Sequence, residues 1–198
     1  MSIQGYKSLI KGESSQIAFT DEATTTSDNL TYKISDAGKS VWAYGVDIEV
    51  KDGGVVTTED YVISRLDGSI AFSSAATRDI TVSGSYVVLS EVAECKEFSF
   101  DGTTDMLETT IFQNAERTYV PGLIGATLTL SRFYNVDNYF TNYLYAGATV
   151  VVEIYPDSSG EPFRVYGIVS NDSVASTVEG LLEESITLQI TNKMILEA

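Results

Sequence analysis

The chain contains no histidine. Its absence removes Ser-His and Cys-His nucleophile pairs, the usual proton shuttle near neutral pH, and the commonest zinc ligand. Cysteine occurs once, at Cys95. No intramolecular disulfide or thiolate metal cluster can form, and the chain suits a reducing cytosol. Basic residues are scarce as well, 12 Lys and Arg against 28 Asp and Glu, for a formal net charge of -16. Affinity for nucleic-acid phosphates comes from Lys and Arg displacing condensed counterions, so a chain this acidic is not expected to hold nucleic acid by its backbone. Long apolar runs are missing too. The opening MSIQGYKSLIKGESSQ has no apolar core of signal-peptide length and no segment approaches a membrane span, which predicts a soluble, cytoplasmic start with no membrane partner.

What is present is organised around Ala126–Tyr155, which reads strand, helix, strand. Ala126, Leu128 and Leu130 alternate with Thr127, Thr129 and Ser131, the period-two pattern of a sheet with one face on a core and one toward water. Val136, Tyr139, Phe140, Tyr143 and Leu144 then fall on one face of a short helix, predicted over Asp137–Ala146. Asn135 or Asp137 can cap its start, and Gly147 can take the left-handed position after its end. In the following strand, Ala148–Tyr155, the alternation puts Val150, Val152 and Ile154 inward and Glu153 outward.

The rest of the 198 residues reads as short strands broken by glycine turns. Strands are predicted at Leu30–Ile34, Val46–Val50, Asp60–Ser64, Ser69–Phe72, Asp79–Ser83 and Ser85–Leu89, with Asp52-Gly53-Gly54 and Asp67-Gly68 as hairpin turns. Trp42 between them is expected as a core anchor. The polar, aperiodic Thr20–Asn29 reads as a loop. Ala93–Asp101 is another strand, and Asp101–Gly122 is long for a connection, since structureless loops beyond about 12–15 residues are uncommon unless functional. It is a projecting hairpin or a contact arm. Beyond the turn Asp157–Glu161, Phe163–Val169 and Ser185–Thr191 alternate as strands, and Ser176 with Glu179 has capping-box spacing for one helical turn near Val178–Leu182. The fold class is mainly β, a sandwich or barrel of antiparallel strands with one flanking helix. One domain spans 1–198, with an N-terminal arm (1–30), a β-meander (30–89) and a sheet core (90–198) carrying the long loop 101–122.

Candidate chemistry is thin. Paired carboxylates could do acid and base work without histidine, and the neighbours are Asp101 with Asp105, Glu153 with Asp157, and Glu183 with Glu184. Such neighbours arise by chance among so many acids, at turns and strand ends where they are solvated. The 157–161 turn lacks the spaced ligands of a calcium loop, no glycine loop for phosphates is present, and Cys95 reads as a small core residue. No catalytic, metal or cofactor site is expected, and the chain is not expected to be an enzyme.

In their order, Ala93–Asp101, the threonine-rich Asp105–Phe112, RTYVPGL from Arg117, TLTLSRFY from Thr127, the aromatic helix ending Leu144-Tyr-Ala-Gly147 and Val150–Tyr155 resemble the major tail tube proteins of long-tailed bacteriophages with non-contractile tails. The N-terminal GYKSLIKGESSQIAFTDE is similar to them too. The resemblance implies a β-sandwich or barrel with a flanking helix that assembles into stacked, hexameric rings. These form a tube through which DNA passes without sequence-specific binding. It also implies other tail proteins as partners, a place in the virion tail, and assembly in the host cytoplasm. On that reading Asp105, Leu107, Ile111, Phe112, Arg117 and Tyr119 belong to an arm between subunits or rings, and the segment before Leu30 joins them. The polar strand faces bearing Thr127, Thr129, Ser131, Glu153, Thr187, Gln189 and Thr191 would line the lumen, where acids repel phosphates within about 8 Å. A related ring protein such as a tail terminator, and a monomeric β-sandwich that holds carbohydrate on some of its 12 tyrosines, are the alternatives.

Overall fold

The computed structural model describes residues 9–92, 95–110, 116–134, 136–155, 162–176 and 182–196, without the side chains of 95 and 192–196. The elements are β1 (Leu9–Thr26), β2 (Thr31–Ile34), β3 (Glu49–Asp52), β4 (Val55–Val56), β5 (Tyr61–Ser64), β6 (Ser69–Phe72), β7 (Ile80–Glu91), β8 (Cys95–Glu108), β9 (Tyr119–Phe133), α1 (Tyr139–Ala146), β10 (Thr149–Tyr155), β11 (Phe163–Ala175) and β12 (Glu183–Leu196). The chain is mainly β with antiparallel pairing and one α-helix among the described residues, as the periodicity predicts. Where the sequence reads as one domain, the fold has two compact units. One comprises Met1–Val92, Val150–Tyr166 and Lys193–Ala198, the other Ala93–Thr149 and Gly167–Asn192.

In the first unit a larger sheet runs β4-β3-β7-β1-β10, with β11 beside β10, and a smaller one joins β2, β6 and β5. β1 belongs to both. It pairs with β7 as far as Ala23↔Thr81 and with β2 from Thr24↔Ile34, bending where the register shifts between Phe19 and Glu22. Asp21 sits there at φ +50. This corrects the loop expected over Thr20–Asn29, and within the N-terminal segment Leu9–Thr26 is sheet. From Leu9 the segment is a strand that pairs in turn with β10, β7 and β2, because β-branched threonines suit a pleated sheet however polar they are. The turn is confined to the residues after Thr26, where the Asp28 carboxylate accepts from the Leu30 and Thr31 amides at 2.9 and 2.8 Å.

The core of this unit draws Phe19, Val50 and Val82 from the larger sheet and Tyr32, Ile70 and Phe72 from the smaller, around a fully buried Trp42. Each such side chain contributes about 1.5–3 kcal/mol relative to exposure. Tyr166, also buried, donates its hydroxyl to the Trp42 carbonyl at 2.6 Å. The Asp52-Gly53-Gly54 signal is a hairpin turn joining β3 and β4, with both glycines at positive φ.

The second unit orders its strands β11-β12-β9-β8, β11 contributing from Gly167 onward. Leu128, Leu130, Ile186 and Leu188 form its buried face, and α1 lies on that face, with the Phe140 ring 5.1 Å from the Arg132 guanidinium carbon. The helix starts at Tyr139 rather than Asp137, because Asn138 takes a left-handed φ of +51. Asp137 still caps it, accepting from the Tyr139 amide at 3.1 Å, and Gly147 closes it at φ +59. Val136, expected on the apolar face, precedes the helix and is exposed. The turns at 157–161 and 178–181 and the Cys95 side chain lie outside the described residues.

Candidate functional site

The long connection expected over 101–122 is strand on both sides of a hairpin. β8 continues to Glu108 and pairs with β9 from Cys95↔Arg132 out to Glu108↔Tyr119. Gly122 and Leu123 form a bulge in β9 opposite Asp105, where a Cβ on Gly122 would lie 3.2 Å from the Asp105 carbonyl oxygen. Glycine permits that close approach.

The hairpin changes character along its length. Near the sheet, residues that pair across strands share a face. Phe98 and Phe100 join Leu130 and Leu128 on the apolar side, while Glu97, Ser99 and Asp101 join Ser131, Thr129 and Thr127 on the polar side. Farther out, Leu107 faces Val120, whereas Met106 with Pro121 and Glu108 with Tyr119 point the other way. Met106, Leu107, Tyr119, Val120, Leu123 and Ile124 are all exposed, the last two at 81%. The distal ribbon is thus apolar on both faces and covered on neither. Two-stranded hairpins are at best marginal alone, and an exposed apolar patch of about 300–600 Å² is often a functional surface. Arg117 Nε lies 4.0 Å from Glu108 Oε1 near the tip, both exposed. Ile111 and Phe112 lie outside the described residues.

The polar side of the sheet forms a wall. The register aligns Asp101, Thr127 and Gln189 in one row, Ser99, Thr129 and Thr187 in the next, and Glu97, Ser131 and Ser185 in the third. Gln189 Nε2 donates to the Ala126 carbonyl at 2.8 Å, and β11 adds Ser170 and Ser173, whose hydroxyls donate to the carbonyls of Thr187 and Ser185. In these rows the only charges are the carboxylates of Glu97 and Asp101, both exposed.

Glu153, expected on such a wall, is not on it. It is buried in the first unit, 2.7 Å from Arg164 Nε and 3.7 Å from Lys11 Nζ. β10 is buried on both faces over Val150–Ile154, so alternation there does not separate inside from outside. The other carboxylate pairs do not form sites. Asp101 and Asp105 are exposed on the hairpin. Glu183 binds Lys96 at 2.5 Å at the surface, while its neighbour Glu184 turns inward to Arg132 at 2.6 Å. Asp157 lies outside the described residues, among which no cluster of acids or cysteine is arranged to hold a metal. Several tyrosines are engaged in packing: Tyr32 and Tyr166 are buried, and Tyr139 stacks on Phe140 and Tyr143. Alternation along Ala93–Asp101 puts Glu97 and Asp101 on the polar side, and the register with β9 adds their neighbours Ser131 and Thr127.

No protein-family model matches the chain, and no curated protein matches it. Among solved structures it is similar to the tail of an empty gene transfer agent particle, determined by helical refinement in C6 symmetry. That match has 9% identity and a TM-score of 0.48 over 56% of this chain and 87% of the other. It is also similar to a chain of the native gene transfer agent virion, with 8% identity and a TM-score of 0.47 over 56% of this chain and 89% of that one.

Proposed function

We propose that this protein is a structural component of a long-tailed bacteriophage virion, whose copies close into rings, six to a ring, that stack into the tail tube through which DNA passes. The observation that carries this reading is the distal β8–β9 ribbon, apolar on both faces and covered by none of the described residues. An exposed apolar surface of this kind marks an interaction site, and Asp105, Leu107, Arg117 and Tyr119 belong to an arm between copies. β8 also ends its sheet, and an open edge invites pairing with a neighbour's strand. The wall of Thr127, Thr129, Ser131, Thr187 and Gln189 is the lumen face. Its rows carry hydroxyls and the carboxylates of Glu97 and Asp101 but no Lys or Arg, so they hold no cation to bind phosphates by counterion release. The order of residues that resembles tail tube proteins supports the same reading, as does the lack of histidine.

Electron microscopy of the purified protein in negative stain tests it. Rings or tubes that grow with concentration are the expected outcome. A single-subunit particle at every concentration and salt would overturn it, and sugar-dependent Trp42 fluorescence from such a particle would point to a carbohydrate binder instead.

A further inference from the structure

Arg132 of β9 binds two carboxyl groups from other parts of the second unit, and a third lies beside one of them. Its Nε lies 2.6 Å from Glu184 of β12 and its Nη2 lies 3.1 Å from Asp137, in the turn that leads into α1. The third is Asp172 of β11, close enough to Glu184 for their charges to interact. Arg132 and Glu184 are buried, and the Phe140 ring covers the guanidinium. Asp172 is tied to the helix, because the Thr141 hydroxyl donates to its Oδ2 at 2.5 Å. Its Oδ1 is buried with no hydrogen-bond partner. A buried carboxylate oxygen without a donor, beside a second carboxylate, is a place for a proton: protonating Glu184 supplies the missing donor and removes the like-charge repulsion.

We propose that Glu184, beside Asp172, takes up a proton and thereby sets how tightly α1 is held on its sheet, making the helix a proton-governed latch. Three of the contacts that fix α1 converge here: Asp137 at its start, Thr141 in its first turn, and Phe140 over Arg132. From β8, Lys96 is engaged with Glu183 rather than with this cluster. The sense of the response follows from linkage. Burial raises the Glu184 pKa, Arg132 works against that rise, and Asp172 adds to it. A carboxyl whose folded pKa is raised stabilises fully below its unfolded value, about 4.3, and that contribution is lost as pH rises through the folded value. The latch is therefore tightest in mild acid and loosens as pH rises. The proposal stands apart from the tail reading and uses none of the assembly surfaces.

Hydrogen exchange of the Tyr139–Ala146 amides in the full-length protein, corrected for the intrinsic pH dependence of exchange, tests it. Protection should fall by about tenfold per pH unit between the ordinary glutamate value and the raised one, while the amides of Val82 and Val150 in the first unit do not follow. Glu184→Gln should flatten the profile, and Asp172→Asn should move the fall to lower pH. Protection of α1 that is constant or rises with pH in the wild type would overturn the latch. So would a wild-type profile in Glu184→Gln or, should that variant not fold, an unmoved midpoint in Asp172→Asn.

Discussion

The sandwich of the first unit and the distal ribbon of the second use the same kinds of residue to opposite ends. In the sandwich, Val50, Val82, Ile70 and Trp42 are shut between two sheets with essentially no exposure. In the ribbon, Val120, Leu107, Ile124 and Tyr119 stand in water on both faces of a two-stranded hairpin. Apolar surface is favourable only once it is removed from water, so the first region is satisfied within the chain, while the second offers the face proposed above to meet another copy. Acids divide in the same way. Glu153 is sealed between Arg164 and Lys11, whereas Glu97 and Asp101 face solvent on a wall of hydroxyls.

This division can be broken first where it costs most. Trp42→Ala empties the centre of the sandwich and should lower stability by about 3–5 kcal/mol, read from denaturant unfolding; a loss no larger than that of a surface substitution would deny the core its role. Glu153→Lys leaves Arg164 and Lys11 facing a third cation in a buried place and should cost a similar 3–5 kcal/mol or so. Asp101→Lys on the exposed wall should leave stability within about 0.5 kcal/mol. If the two substitutions cost the same, the distinction between sealed and open acids fails. In assembled particles, Asp101→Lys with Glu97→Lys should instead slow DNA delivery, measured as the rate of ejection.

Smaller effects sharpen the contrast. Tyr166→Phe leaves the Trp42 carbonyl without its buried donor, for about 1–3 kcal/mol. Burial raises the Tyr166 phenol above its usual range, so the fold loses stability as pH climbs past the ordinary tyrosine value of about 10. The same substitution should reduce that alkaline loss, as melting temperatures at several pH values would reveal. The least effect on folding is expected in the ribbon, where Leu107→Asn or Ile124→Asn should change stability by no more than about 0.5 kcal/mol yet impair assembly seen by sedimentation.

Much of the architecture was legible because it is local. Alternation at Leu128 and Leu130, the paired glycines at 53 and 54, and the left-handed Gly147 each need only a few neighbouring residues to be read. What escaped depends on distant partners. Glu153 reads as outward until Lys11 and Arg164 arrive from strands on either side of β10. Thr20–Thr26 reads as loop until β7 and β2 pair with it. The helical period extends back to Val136, but the backbone at Asn138 turns left-handed and ends it. The ribbon lay between the two outcomes: its length marked it as functional, but the two-faced apolar surface emerged only from the β8–β9 register.

The most direct measurement is the assembly of a chain lacking Thr103–Asn114, followed by negative-stain microscopy and sedimentation, with Trp42 fluorescence reporting on the sandwich. If the ribbon joins copies, the deletion yields a folded protein with the wild-type unfolding transition that remains as single subunits where the full chain forms rings and tubes. Tubes of normal length from the shortened chain would contradict that role.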